Sequence, residues 1–119
     1  MRTREMRADA ATMMRVAADL PFTLHVSRDR GRRVVQVGGE LDLATRNLVR
    51  RACLAGRGRR KTVVVEMGEM TFMDCSGYGG LVAARRALQD EGGSLTLRNQ
   101  AGQPAELLVM LAILEGPSE

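Results

Sequence analysis

The sequence predicts an α/β domain, a mixed β-sheet with helices packed on one side, in the order β-β-α-β-α-β-α. Three observations predict it. Apolar residues alternate with period two at 22–26 and 94–98, yet recur at helical spacing between 42 and 56 and between 74 and 91. Val63, Val64 and Val65 stand in succession, as in a central strand covered on both faces. Gly31, Gly56 and the pair Gly92-Gly93 punctuate the changes of period. Strands that alternate with helical segments are joined by crossovers, which gives the sheet a parallel part.

Residues 1–20 read as an N-terminal extension. Alanine and methionine favour helix there, but the first dozen residues carry no apolar stripe. The domain is expected to occupy residues 21–116. Phe22, Leu24 and Val26 alternate with Thr23, His25 and Ser27, the pattern of a half-buried strand. Arg28 to Arg32 make a turn, and Val34, Val35 and Val37 a second strand, so the two form a hairpin. From Asp42 to Gly56 the period becomes helical: Ala44, Leu48, Val49 and Ala52 share a face, and Gly56 stops the helix. Thr62 to Met67 is the third strand. Asp74-Cys75-Ser76-Gly77 opens a second helix with Leu81, Val82, Ala84 and Leu88 inward, ended by Glu91-Gly92-Gly93. Ser94 to Arg98 is the last strand. Pro104 opens a final helix to Leu114, whose apolar residues are Leu107, Leu108, Leu111 and Ile113. These leucines suit the pairing of two chains as well as the covering of a sheet, so the oligomeric state is open.

Apolar residues at 45% and charged residues at 27% are ordinary for a globular chain, and 119 residues provide for one domain. No apolar run reaches the roughly 18 to 20 residues of a membrane-crossing helix, so membrane insertion is not expected. Phe22, Phe72 and Tyr78 are the only aromatics, too few to stack on nucleic-acid bases. The net charge of +4 comes from 17 arginines and Lys61 against 14 acidic residues. Its densest clusters, Arg28/Arg30/Arg32/Arg33 and Arg57/Arg59/Arg60/Lys61, contain Gly31 or Gly58, as surface turns do. No helix-turn-helix, zinc pattern or interleaved aromatic accompanies them, so direct nucleic-acid binding is not expected. Cys53 and Cys75 form no CxxC, and Asp9 and Asp19 interrupt any export-signal core, which suits a cytoplasmic protein with free thiols. His25 lies on the polar phase of a strand. With no G-x-S-x-G elbow, no Walker A loop and no dinucleotide fingerprint, neither catalysis nor a cofactor is expected. One histidine and two distant cysteines do not make a zinc site, so no metal is expected.

The informative stretch is Phe72-Met73-Asp74-Cys75-Ser76-Gly77-Tyr78-Gly79-Gly80-Leu81, where a strand exit meets a helix start. Free backbone N–H groups at such a terminus favour an anion or a capping oxygen. With Cys75 as the cap, Cys75→Ser is expected to recover part of the roughly 1 kcal/mol of a good cap. Gly77, Gly79 and Gly80 each weaken a helix by up to about 1 kcal/mol relative to alanine. Tight helix–sheet packing and the close approach of a partner both account for them.

Two motifs carry a resemblance. Gly39-Glu40-Leu41-Asp42-Leu43-Ala44-Thr45 is similar to the G-E-L-D-x-x-T segment of the STAS domain family. Phe72-Met73-Asp74-Cys75-Ser76-Gly77-Tyr78-Gly79 is similar to its F-M-D-S-S-G-L-G segment, and the separation leaves room for the family's intervening helix and strand. Over residues 21–116 the chain resembles the bacterial anti-sigma factor antagonists of that family. The resemblance implies a binding module and not an enzyme: an antagonist binds an anti-sigma factor, often a serine kinase, and so frees a sigma factor for transcription. It implies a contact surface of Asp42, Asp74, Cys75, Ser76, Gly77, Tyr78 and Gly79. In the family a serine after the motif's aspartate is phosphorylated, and about −1.5 to −2 added charges break the complex. Here that position is Cys75, which a serine kinase cannot phosphorylate. Ser76 is the nearest substitute acceptor. Tyr78 and Gly80 also stand where the family usually has aliphatic residues. Three readings remain open: an antagonist with no phospho-switch, a phosphate moved to Ser76, and thiol control or a different partner. The alternative class is a STAS subunit of a larger assembly, such as a lipid-transport ABC complex or a stressosome.

Overall fold

The computed structural model describes residues 21–56 and 61–115. The expected extension over 1–20, the basic residues Arg57, Arg59 and Arg60, and the expected domain end at 116 lie outside the described residues. Strand β1 (Phe22–Asp29) and strand β2 (Arg32–Leu41) form an antiparallel hairpin. Its turn is only Arg30 and Gly31, with φ of 56° and 82°. Two left-handed residues match the twist of the flanking strands. Arg28 and Asp29 therefore stay paired with Arg33 and Arg32, where the sequence placed a five-residue turn.

The chain continues through α1 (Arg46–Leu54), β3 (Thr62–Glu66), β4 (Met70–Met73), α2 (Cys75–Asp90), β5 (Ser94–Arg98) and α3 (Gly102–Glu115). The sheet runs β1-β2-β3-β5, with β3 parallel to β2 and β5 parallel to β3. β4 is a strand that the sequence order lacks. β1 holds one edge of β2, β3 pairs with Arg33–Gln36 on the other, and β4 takes that same edge at Gly39–Leu41 after a register shift. The Met67 carbonyl accepts the Met70 N–H at 3.0 Å, a tight turn that breaks the line between β3 and β4. Met70 and Met73 are buried while Thr71 and Phe72 are exposed, so β4 has no period-two pattern to read.

Leu24, Val35, Val37, Val63, Val65 and Leu95 make one core with Val49 and Cys53 of α1 and Leu81, Ala84 and Leu88 of α2. Val64, on the alternate phase of β3, is only 3% exposed, as the valine run predicted. Basic residues from the arginine-rich turns close the C-terminus of α1. Lys61 Nζ donates to the carbonyls of Leu54, Ala55 and Gly56 at 3.3, 3.0 and 2.9 Å, and Arg33 Nη1 to that of Ala52 at 3.3 Å. These are otherwise the orphan acceptors of a helix end.

Candidate functional site

β2 and β4 are parallel and finish side by side, with Leu41 opposite Met73. The residues that follow are Asp42 and Asp74, so the topology brings the two sequence motifs together. Their meeting point lies at the carboxyl ends of parallel strands, where α/β sheets place their binding crevices.

Asp42 does not begin a helix. Asp42 to Thr45 form a turn, and α1 starts at Arg46. The Asp42 N–H donates to Thr45 Oγ1 at 3.0 Å, and the Ala44 N–H donates to Asp42 Oδ1 at 3.0 Å. The Thr45 hydroxyl lies 3.0 Å from the Glu40 carbonyl and 3.2 Å from Asp42 Oδ1, both within reach of its one proton. Polar atoms removed from water must be paired like this, and Thr45 is buried. The Asp42 carboxylate is thus engaged with its own turn.

Asp74, not Cys75, caps α2. Its Oδ1 accepts the Gly77 N–H at 2.8 Å, with Asp74 in extended backbone and Cys75 as the first helical residue. The expectation that Cys75→Ser recovers capping energy is therefore corrected, because a better cap already occupies the position before it. A negative carboxylate at this end also complements the helix dipole and fills the place an external anion would take.

The three glycines divide into two kinds. A Cβ on Gly77 would strike the Leu41 carbonyl oxygen and stand 2.8 Å from the Leu41 carbonyl carbon. One on Gly80 would stand 2.9 Å from Arg46 Cβ. These two let α2 sit directly on the end of β2 and on α1. A Cβ on Gly79 would meet nothing within 4 Å. Of the expected contact residues, Cys75 and Gly79 are exposed, Asp42, Asp74, Ser76 and Tyr78 are half-buried, and Gly77 is buried. Tyr78 packs against the core.

Four residues outside the expected set shape this corner. Leu43, at the tip of the Asp42 turn, and Phe72, beside Met73, are large apolar side chains left exposed. Thr45 holds the turn, and the D-x-x-T spacing was the signal for it. Gln103 pins α3 to β4: its Oε1 accepts the Met73 N–H at 2.8 Å and its Nε2 donates to the Met73 carbonyl at 2.9 Å. No local pattern marks an amide that acts thirty residues away. His25 pairs with Gln36, about 17 Å down β2 from Leu41. Ser76 and Cys75 therefore have no histidine base beside them. Among the described residues no three of His, Cys, Asp and Glu gather closely enough to hold a metal ion, and no helix is long and apolar enough to cross a membrane.

Residues 23–116 match the STAS domain. The chain belongs to the STAS domain family. No curated protein sequence matches it. Among solved structures, this STAS domain is similar to the anti-sigma factor antagonist SpoIIAA in its unphosphorylated form, at 26% identity and TM-score 0.56, over 76% of this chain and 81% of that one. An anti-sigma factor antagonist from Mycobacterium paratuberculosis shares the fold at 24% identity and TM-score 0.62, over 84% of this chain and 85% of that one. Part of the murine anion transporter Slc26a9 also shares it, at 19% identity and TM-score 0.62. That likeness covers 75% of this chain, which spans only 15% of the transporter. The fold thus occurs both as a small antagonist and as one segment of a much longer protein.

Proposed function

We propose that this STAS domain is an anti-sigma factor antagonist, which binds an anti-sigma factor at the start of α2 and so frees a sigma factor in the cytoplasm. The observation that carries the reading is the self-capped terminus. Asp74 caps the helix end from within, so the exposed Cys75 and Gly79, with the half-buried Ser76, are free to meet a protein surface, with Leu43 and Phe72 as apolar flanks. Small residues ringed by a few large apolar ones suit a packed interface centre better than a small-ligand cleft. The likeness to SpoIIAA supports the partner class.

The partner is a kinase-like anti-sigma factor, and the phospho-switch is absent or moved. Cys75 offers no acceptor hydroxyl, whereas a phosphate on Ser76 would lie near the Asp74 carboxylate and repel an acidic partner. Affinity capture from the native cell extract tests the reading. The expected catch is an anti-sigma factor, lost on Gly79→Arg while the thermal melt is not lowered. Recovery of a transporter ATPase without any anti-sigma factor would reassign the domain to a larger assembly. Mass spectrometry after incubation with the captured kinase and ATP then reads the switch: phosphate on wild-type Ser76 would rule out the unswitched form.

A further inference from the structure

Met73 is the last residue of β4 and is fully buried, and Asp74 after it caps α2. Among the described residues β4 pairs with β2 alone. Successive residues of a strand turn their main-chain groups to opposite edges. The Asp74 N–H points to β2, where the Leu41 carbonyl accepts it at 3.3 Å. Met73 thus turns its N–H and carbonyl to the other edge. Gln103 takes the place of a strand there: Oε1 accepts the Met73 N–H at 2.8 Å and Nε2 donates to the Met73 carbonyl at 2.9 Å. An amide side chain carries the acceptor and the donor of a peptide group side by side. Pro104, the next residue of α3, is buried and anchors it.

We propose that Gln103 is a positioning residue for partner binding: it sets the peptide between Met73 and Asp74, and with it the surface at the start of α2. This rests on the reading of that surface as the anti-sigma factor contact. The peptide is gripped from both sides, its carbonyl by Gln103 and its N–H by Leu41. Its plane sets the direction in which Asp74 leaves the strand, with φ −109° and ψ −177°. From there Oδ1 reaches the Gly77 N–H at 2.8 Å. The exposed Phe72, on the other side of Met73, is carried by the same strand end. Without Gln103 both Met73 groups lose their partners, and unsatisfied buried groups favour a strand end that turns toward water. Such a corner is competent for only part of the time, and the apparent affinity falls with the competent fraction. Because Gln103 belongs to the first turn of α3, the contact surface is complete only when that helix is docked.

Two variants of the full chain separate hydrogen bonding from packing. Gln103→Met keeps the length of the side chain and makes neither bond. In Gln103→Glu the carboxylate lacks a donor, and on protonation it regains the acceptor and donor pattern of the amide. The free protein gives the first readout, the Gly77 amide, which reports the cap and makes no bond to Gln103. Gln103→Met should shift its NMR resonance and speed its hydrogen exchange about 10-fold. Gln103→Glu should shift the resonance likewise near neutral pH and return it to the wild-type position as the pH falls from about 7 to 4. Each value is compared with wild type at the same pH, so groups common to both chains cancel. The second readout is affinity for the anti-sigma factor recovered by affinity capture, whose Kd should rise about 10-fold for Gln103→Met. Val63→Ala opens a void in the core at the far end of β3 and should leave Kd within about twofold. A Gly77 amide unmoved by Gln103→Met, or a Gln103→Glu difference that stays constant with pH, overturns the positioning. Wild-type affinity in Gln103→Met, or an equal loss in Val63→Ala, overturns its role in binding. If the wild type captures no anti-sigma factor, the reading of the partner falls and the Gly77 amide still decides the positioning.

Discussion

Asp74 Oδ1 holds the Gly77 N–H at 2.8 Å, and this bond separates capping from recognition at adjacent residues. Asp74→Ala should cost about 1 kcal/mol in chemical denaturation, the usual value of a lost N-cap. Cys75→Ser should leave stability within about 0.5 kcal/mol, as for surface substitutions away from special features, and should gain phosphate from the cognate kinase if only the acceptor was lost. The glycines make a sharper pair. Gly77→Ala forces a methyl into the Leu41 carbonyl and should destabilise by about 1–3 kcal/mol. Gly79→Ala meets open space and should stabilise by up to about 1 kcal/mol through helix propensity. A similar loss at both would mean that α2 does not rest on Leu41 as described. The sequence exposed the Asp74–Gly80 segment because its composition is unusual for a helix start. It could not divide its glycines, because what each one touches comes from β2 and α1, more than thirty residues earlier.

At the level of elements, the site depends on two devices that hold strand ends in place. Thr45 ties the end of β2 to the start of α1, and Gln103 clamps the end of β4 to α3. Thr45→Val keeps the shape but removes the acceptor of the Asp42 N–H. It should cost about 1–3 kcal/mol, the penalty of an unsatisfied buried polar group. Gln103→Leu removes both bonds to Met73, and hydrogen exchange should show the Met73 amide losing protection ahead of the amides of β3. Uniform exchange across the two strands would mean that Gln103 is not what secures β4. Long periodic segments were legible in the sequence: α2, the hairpin and the β3 valine run all follow from their patterns. β4 was not, because four residues buried at their ends and exposed between match neither period. The start of α1 was read four residues early because Ala44 fits the helical face while Asp42 and Thr45 close a turn on themselves.

At the scale of the whole molecule, Glu66 couples stability to pH on the acid side and Cys53 on the alkaline side. Glu66, at the end of β3, accepts from Arg98 Nε and Asn99 Nδ2, each at 2.7 Å, and from the Gly68 N–H at 3.3 Å. Burial works against its charge, but the bonds from Arg98 and Asn99 outweigh it and hold its carboxyl below the ordinary 4.5. That contribution is complete above about pH 4.5 and disappears as the pH falls through the lowered folded value, so Glu66→Gln should flatten the acid limb of the stability curve. Cys53 governs the alkaline side. It lies fully buried between α1 and the sheet, and burial pushes its thiol up from 9.0 to about 12, only partly offset by the charge of Arg33. The unfolded chain therefore loses this proton first. Stability from the neutral thiol is complete below pH 9 and should decline toward pH 12 at a limiting slope of about 1.4 kcal/mol per pH unit. The informative quantity is the difference between wild type and Cys53→Ala in urea denaturation from pH 8 to 11, which isolates the contribution of this one side chain. The variant should be less stable at pH 8, where it has lost a packed sulfur, and the gap should narrow as the pH rises. A gap that stays constant across that range would show that the thiol ionises equally in both states, and Cys53 would then not be buried in the core.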